Sequence, residues 1–442
     1  MLYRILKFLI GLGIRLFYKE IRIKNKKNLP QKGPLIIIVN HPNTLMDAWV
    51  VGMICNQPIY YMAKATLFDS KFKLKLLRSL NLIPINRQGE GKIEGVDNED
   101  SLSECYRVLS EGKTLLIFPE GTSYKERVLR KLKTGTARIA LETELRNQGE
   151  LGLKVVAVGL NYSQQEKFRS DILIDIDKPK GVTDYLEEYK VDSISASRKL
   201  TSQFRTRLEN VLMTTETIDE ENLVDSIYKV INSKYTEITE TKERGVRGEV
   251  SKKKDIKNRL DEIKILQPWL IEEIKIKIKA INWKLEKMHI RADFLDRRFR
   301  STMFLRQLFI SIIFILIALP VAIYGLIHNL FQYLLSDWFI PKLSTDVEYY
   351  APLAVLTGIV IYPVTYAGFL LMAHYAFDLK WFGLIIYLLT LPSAGIFAYW
   401  FSKYLKNISY NWQYMLLMVD RKDILKDLQQ EKQRLKKLIF ET

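Results

Sequence analysis

The stretch PLIIIVNHPNTLMDAWVVGMIC, residues 34–55, decides the fold. The run Leu35–Val39 is wholly apolar and reads as a strand buried on both faces. Leu45–Cys55 reads as a helix. Between them lies a polar turn, Asn40-His41-Pro42-Asn43-Thr44, at the carboxyl end of the strand. In open α/β sheets that edge is where ligands bind. Thr44-Leu45-Met46-Asp47 has the form of a capping box with Asp in place of Glu. His41 and Asp47 are six steps apart. On one continuous helix, at roughly 100° per residue, they would face different sides. They can meet only if His41 precedes the helix and the chain turns at Pro42 and Asn43.

The same alternation extends outward. PIYYMAK (58–64), NLIPINR (81–87), KTLLIFPEG (113–121) and LKVVAVGLNY (153–162) read as further strands. DSLSECYRVLSEG (100–112) and the stretch around TGTARIALETELR (134–146) read as helices. This is an α/β pattern, with a mixed sheet flanked by helices. Residues 1–22 form a separate, apolar N-terminal segment interrupted by Arg4, Lys7 and Arg15. It lacks a small-residue cleavage site and reads as an amphipathic helix in a membrane interface. The α/β domain then occupies residues 23–215. Residues 216–302 are charged and mainly helical, although Ile274–Lys279 alternates Ile and Lys as a strand also would.

Residues 303–402 contain three apolar runs, near 308–327, 351–377 and 382–401, each about the ~20 residues needed to cross a bilayer. Residues 403–442 are a basic tail. Arg291, Arg297, Arg298, Arg300 and Arg306 precede the first run, and Lys403, Lys406, Arg421 and Lys422 follow the third. The first connection carries Asp337, Asp346 and Glu348 against Lys342. The positive-inside rule places both basic flanks in the cytoplasm. Three runs cannot satisfy that if each crosses once, so the run containing Pro320 is expected to be a re-entrant hairpin.

Composition narrows the function. The 442 residues carry 67 Lys+Arg against 50 Asp+Glu, a net +17, yet 48% are hydrophobic. Such a chain is not a disordered polycation. Two cysteines, Cys55 and Cys105, exclude a disulfide-stapled fold and a cysteine zinc site, and point to a reducing compartment. The aromatic residues concentrate in the apolar C-terminal third, which argues against a nucleic-acid surface. No metal site is expected.

Three constellations carry chemistry. His41 at a strand end suits a general base. Arg87, closing Leu82-Ile83-Pro84-Ile85-Asn86, is a forked ligand for phosphate. Leu116-Ile117-Phe118-Pro119-Glu120-Gly121-Thr122-Ser123 ends a buried run in a turn whose glycine allows close approach and whose free amides can cradle an anion. Lys125, Arg127, Arg130, Lys131 and Lys133 follow it.

In order and spacing, NHPNTLMD, LIPINR, FPEGTS, KTGTARIAL and VVAVGLNY resemble the successive blocks of the glycerolipid acyltransferase family. That family includes glycerol-3-phosphate and 1-acylglycerol-3-phosphate O-acyltransferases. The resemblance covers roughly residues 30–165. It implies an acyltransferase with His41 as general base and Asp47 as the carboxylate that orients it. It also implies that Arg87 binds the acceptor phosphate and that Glu120 and Gly121 bind the acceptor. Asn43 and Thr122, polar members of the same blocks, are counted among the substrate-binding residues. A neutral imidazole held in one tautomer by a carboxylate can activate an alcohol without an enzyme nucleophile.

Five residues separate His41 from Asp47, where the common family spacing is four. The longer spacing resembles fungal-type glycerol-3-phosphate/dihydroxyacetone-phosphate acyltransferases and their bacterial relatives. Ala157 stands where many members have proline. The expected activity is transfer of a fatty acyl group to glycerol 3-phosphate or dihydroxyacetone phosphate in phospholipid synthesis. Acyl-CoA or acyl carrier protein thioester is the co-substrate, and no other cofactor is expected. Lysophosphatidate or a lyso-aminolipid is the alternative acceptor, and an inactive membrane scaffold is the non-enzymatic alternative. The expected partners are the phosphorylated acceptor, the acyl carrier and membrane lipids. The expected location is a bacterial inner membrane, with the catalytic domain on its cytoplasmic face.

Overall fold

A computed structural model of the chain describes residues 2–86, 97–232, 245–296 and 301–441. They fall into two units. The first comprises Met1–Ile218, Gly245–Val250 and Ser344–Leu356; the second holds the rest.

The first unit is built on one eight-stranded sheet. Its strands are β1 (Glu20–Lys24), β2 (Leu35–Val39), β3 (Ile59–Lys64), β4 (Leu82–Ile85), β5 (Thr114–Ile117), β6 (Lys154–Tyr162), β7 (Asp171–Ile176) and the short β8 (Lys180–Gly181). Their order is β1-β7-β6-β2-β5-β3-β4, with β8 beside β6. β2 lies between β5 and β6 and is parallel to both, with Ile37 opposite Leu116 on one side and Val156 on the other. β6 pairs antiparallel with β7 and β8, so the sheet is mixed.

Helices α1 (Leu2–Phe17), α2 (Thr44–Ile54), α3 (Lys71–Ser79), α4 (Asn98–Ser110), α5 (Gly135–Arg146), α6 (Leu186–Val191) and α7 (Ser193–Val211) complete this unit. Ile36, Ile38, Leu115 and Val155 of the sheet join Val108, Leu109, Ala140, Leu141, Phe204 and Leu208 of α4, α5 and α7 in one core. α1 buries Gly11, Ile14 and Phe17 and leaves Leu2, Ile5, Phe8, Leu12 and Leu16 exposed. The helix ends at Phe17, and β1 follows at Glu20, parallel to β7. β1 and β7 were not among the expected strands.

The chain continues through α8 (Ile218–Ile231), α9 (Val246–Leu266), α10 (Trp269–Lys287), α11 (Ser301–Leu343), α12 (Tyr350–Phe377), α13 (Trp381–Asp420) and α14 (Lys422–Phe440). The ambiguous stretch 274–279 is helical. Ile274, Ile278, Ile281 and Leu285 are buried while Ile276 is exposed, which is a helical stripe and not the alternation of a strand. α10 packs on α14, whose Leu425, Leu428, Leu435 and Ile439 are buried. Lys284 pairs with Glu431 at 2.5 Å beside this seam.

α11, α12 and α13 are each long and apolar enough to cross a membrane. Most of their large apolar side chains are exposed, among them Leu316, Ile317, Val360, Val364, Phe382 and Leu389. A monomer in water rarely presents so much contiguous apolar surface. α11 and α13 meet through small residues, as membrane helices do when dispersion and polar contacts must hold them together. Ala318, Ala322, Ala394 and Ala398 are buried. Asn329 donates to Gly325 O and Leu391 O and accepts from Tyr366 Oη at 2.6 Å.

One topological expectation needs correcting. α11 runs as one helix from Ser301 to Leu343 through Pro320, so the first apolar run is not a hairpin. Neighbouring helices can re-satisfy the backbone groups a proline frees in such a helix. The connection after α11, Ser344–Leu356, packs into the unit that carries His41. Hydrogen bonds from Thr44 Oγ1 and the Lys125 N–H to Glu348 hold it there. Arg297, Arg298 and Arg300 of the basic flank lie outside the described residues.

Candidate active site

Three adjacent strand ends build the site. β2 leads into Asn40 and His41, β5 into Pro119, Glu120 and Gly121, and β6 closes on Asn161 and Tyr162. Because β5, β2 and β6 are parallel neighbours, their carboxyl ends deliver these side chains to one edge of the sheet. The Asn40 side chain extends the ladder by one step. It donates to Leu160 O and accepts from Leu160 N–H.

The six-residue separation is bridged as the turn requires. His41 precedes α2, Asp47 lies in its first turn, and His41 Nδ1 is 3.0 Å from Asp47 Oδ2. The turn is closed by Met46 N–H donating to Asn43 O. Thr44 carries the distortion, with φ of 41°. A β-branched residue there is strained. Asp47 Oδ2 also accepts the Asn43 N–H at 2.7 Å. The capping box expected at Thr44 does not form: Asn43 is the residue that precedes the helix, the Thr44 N–H donates to Ser123 Oγ, and the Thr44 hydroxyl donates to Glu348 O.

Asp47 is fully buried. Its Oδ1 accepts from Tyr162 Oη at 2.8 Å. Burial pushes the Asp47 carboxyl above the usual carboxylate range, against the opposing pull of His41, Asn43 N–H and the Tyr162 hydroxyl. Burial likewise raises the Tyr162 phenol, so it stands as a donor. The His41 ring lies flat on Phe118, with centroids 3.7 Å apart and planes within 10°. Only 12% of the His41 side chain is exposed. With Nδ1 directed to Asp47 and one face covered, Nε2 is the nitrogen left to meet a substrate.

Glu120 is nearly buried and ties two loops together. Oε1 accepts from His41 N–H at 3.2 Å and Oε2 from Arg130 N–H at 3.1 Å. Burial raises its carboxyl. Its expected contact with acceptor hydroxyls would use the lone pairs these two amides leave. Gly121 has φ of 80°, and a Cβ there would come within 2.7 Å of Lys133 Nζ. Glycine therefore admits the Lys133 ammonium against the turn, as the motif's close approach anticipates.

Asn43 lies elsewhere than expected. It is fully buried, and its Nδ2 donates to Tyr18 Oη and Gln165 O, each at 3.1 Å. It braces the loop from behind and does not line an open site. Thr122 lies at the turn, half-buried, next to Ser123, whose Oγ accepts the Thr44 N–H. Arg87 lies outside the described residues. Ala157 is buried in β6, and its carbonyl accepts the Asp177 N–H.

Sequence reasoning passed over several contributors. Tyr18 and Gln165 back the loop, with Gln165 Nε2 donating to Pro42 O and Lys125 O. Tyr162, Phe118 and Glu348 touch it from other elements, and Lys133 lies against the Gly121 turn. Phe118, Lys133, Tyr162 and Glu348 stood in stretches the sequence had singled out, but without these contacts. Among the described residues no three His, Cys, Asp or Glu side chains gather as a metal would need.

Residues 20–161 match the model of the Acyltransferase family. An uncharacterized acyltransferase of Schizosaccharomyces pombe is 22% identical, over 41% of this chain and 40% of that protein. The 1-acyl-sn-glycerol-3-phosphate acyltransferase of Bacillus subtilis is 27% identical, over 43% of this chain and 89% of that protein. The crystal structure of the 1-acyl-sn-glycerophosphate acyltransferase of Thermotoga maritima aligns over 46% of this chain and 80% of that one. The identity is 20% and the TM-score 0.31. The chain thus spans less than half of the yeast relative and most of the Bacillus one. Together the family match and the strand-end site make residues 20–161 an Acyltransferase-family domain.

Proposed function

We propose that the chain is a membrane-bound O-acyltransferase of glycerolipid synthesis, with His41 as general base. The observation that carries this reading is the His41–Asp47 pair, 3.0 Å apart, with the imidazole stacked on Phe118. His41 Nε2 takes the proton of an acceptor hydroxyl as its oxygen attacks the carbonyl carbon of an acyl thioester. The C–O bond forms, the C–S bond breaks, and the imidazolium returns its proton to the departing thiolate. Asp47 holds the ring in one tautomer and stabilises the imidazolium. Lys133, beside Gly121, supplies positive charge for an anionic group at the turn.

The acceptor we favour is glycerol 3-phosphate or dihydroxyacetone phosphate, on the five-residue spacing and with Arg87 as the phosphate ligand. Lysophosphatidate is the second reading, favoured by the activity named for the Bacillus relative. Acyl-CoA or acyl carrier protein delivers the acyl group. The exposed apolar stripe of α1 and the three apolar helices support a location at a membrane. The orientation we favour, on the basic flanks of the apolar runs, has the site facing the cytoplasm of a bacterial cell.

The test is one assay. Full-length protein in detergent receives a labelled acyl thioester with glycerol 3-phosphate, dihydroxyacetone phosphate or lysophosphatidate. Product is expected with one of them, and His41→Ala should lower the rate by roughly 10²–10⁴-fold. Unchanged turnover in that variant would refute the role of His41.

A further inference from the structure

The connection between α11 and α12 reaches the proposed catalytic loop. Val347–Tyr349 forms a single 3₁₀ turn against α2. Glu348 holds a residue on each side of His41. Its backbone carbonyl accepts from Thr44 Oγ1 at 3.0 Å, and its Oε1 accepts from Lys125 N–H at 3.0 Å. Thr44 belongs to the turn between His41 and Asp47. Lys125 ends the turn that begins at Glu120, and the Tyr124 N–H just before it donates to His41 O. Thr44 is also the strained residue of the loop, at φ 41°. A conformation of that kind persists only where its surroundings over-determine it. Here the surroundings are Ser123 Oγ on the Thr44 amide and Glu348 O on its hydroxyl.

We propose that Glu348 is a positioning residue of the acyltransferase site, fastening the His41–Asp47 turn to the Glu120–Lys125 turn. The rate effects expected of it rest on the acyltransferase reading; its placement does not. The bond from Lys125 N–H to a carboxylate is charge-assisted and stronger than a neutral one. The carbonyl bond to Thr44 depends on the 3₁₀ turn staying where that carboxylate holds it. α12 does not stand in the way. Its candidate span of 31 residues exceeds the ~20 a bilayer needs, so the first turns can lie outside the membrane.

Two measurements on the full chain test this. In sealed vesicles, Asp346→Cys and Glu150→Cys, both at exposed positions, are labelled with an impermeant maleimide, against the native chain with its buried Cys55 and Cys105. Labelling of both from the same side is expected. Labelling of position 346 only from the opposite side overturns the proposal. In the acyl-transfer assay, Glu348→Ala should lower kcat by about tenfold with the KM for the thioester unchanged. Glu348→Gln, whose amide oxygen accepts the same N–H, should recover most of it. Native kcat in the Ala variant, or a Gln variant no better than Ala, overturns it. Should the native chain transfer no acyl group, the function proposed above fails, and the labelling still decides where the connection lies.

Discussion

Replacing Tyr162 with phenylalanine removes one hydroxyl and nothing else. The ring can keep its tilted packing on Tyr18, at 5.6 Å between centroids. What is lost is the 2.8 Å hydrogen bond to Asp47 Oδ1. Asp47 is fully buried, so no water replaces the donor. A hydrogen bond to a buried charge contributes about 1.5–3 kcal/mol. Losing it moves the Asp47 carboxyl further upward. The direction is fixed, because burial already raises this group and the Tyr162 hydroxyl opposes the rise. In the proposed mechanism activity requires the ionised carboxylate, so the acid limb of kcat/KM should move to higher pH. Stability should follow the same linkage. A carboxyl raised on folding contributes stability that is full below its unfolded pKa and is lost as pH rises through the folded pKa. The Tyr162→Phe variant should therefore melt clearly below the native chain at pH 8. That gap should narrow as the pH falls into the ordinary carboxylate range. The pH–rate profile and melts at several pH values check both. An acid limb in its native position, or a gap that widens with acid, would refute the assigned role of Tyr162.

Other perturbations read other contacts. Glu120→Gln turns one of two accepting oxygens into an NH₂ facing a backbone N–H, from His41 or Arg130. It should cost about 1–3 kcal/mol of stability and lower turnover, read by melting and initial rates. Gly121→Ala combines a φ of 80° with a Cβ 2.7 Å from Lys133 Nζ. It should cost about 1–2 kcal/mol in thermal stability and raise the KM for the phosphorylated acceptor. Gly159→Ala places a Cβ 2.5 Å from Val211 O, backbone that cannot swing away. The clash should cost about 1–3 kcal/mol, seen as lowered expression and melting temperature. Gly325→Ala sets a Cβ 2.1 Å from Ala394 O and should loosen the α11–α13 crossing, measured as faster loss of folded protein in detergent.

The central sheet was legible because its strands are short apolar runs cut by turn residues. Leu35–Val39 can satisfy both faces only inside an α/β layer. β1 and β7 escaped notice for the opposite reason. EIRIK and DILIDI carry charges that read as solvated chain. In the fold, Lys24 meets Asp175 at 2.8 Å, and the two strands lie in register along their whole length. Long-range pairing supplied what local pattern did not. The His41–Asp47 pair could be anticipated, since a turn at Pro42 and Asn43 was the only way for them to meet. Its supports could not. Tyr18, Gln165 and Glu348 come from positions 23, 124 and 307 residues away from His41 in sequence. No periodicity in the chain links such distances. Asn43 was misread because a polar residue in a catalytic block looks like a ligand. Its Nδ2 is instead hydrogen-bonded behind the loop, to Tyr18 Oη and Gln165 O.

The five-residue spacing ties these observations together. Five residues separate His41 from Asp47, yet their side chains meet at 3.0 Å. The chain makes this turn at Thr44, through a left-handed conformation that a threonine adopts only under constraint. That constraint has to come from outside the loop, because the loop's own hydrogen bonds, Met46 N–H to Asn43 O and Asn43 N–H to Asp47, leave the Thr44 hydroxyl and amide unassigned. Ser123 takes the amide, and Glu348 takes the hydroxyl. The proposed catalytic turn is therefore braced from outside, and in this chain a brace comes from the connection between two apolar helices. The Glu348 carboxylate accepts the Lys125 N–H near the proposed base, and a charge-counting rule has no means of telling such a carboxylate from a solvated one.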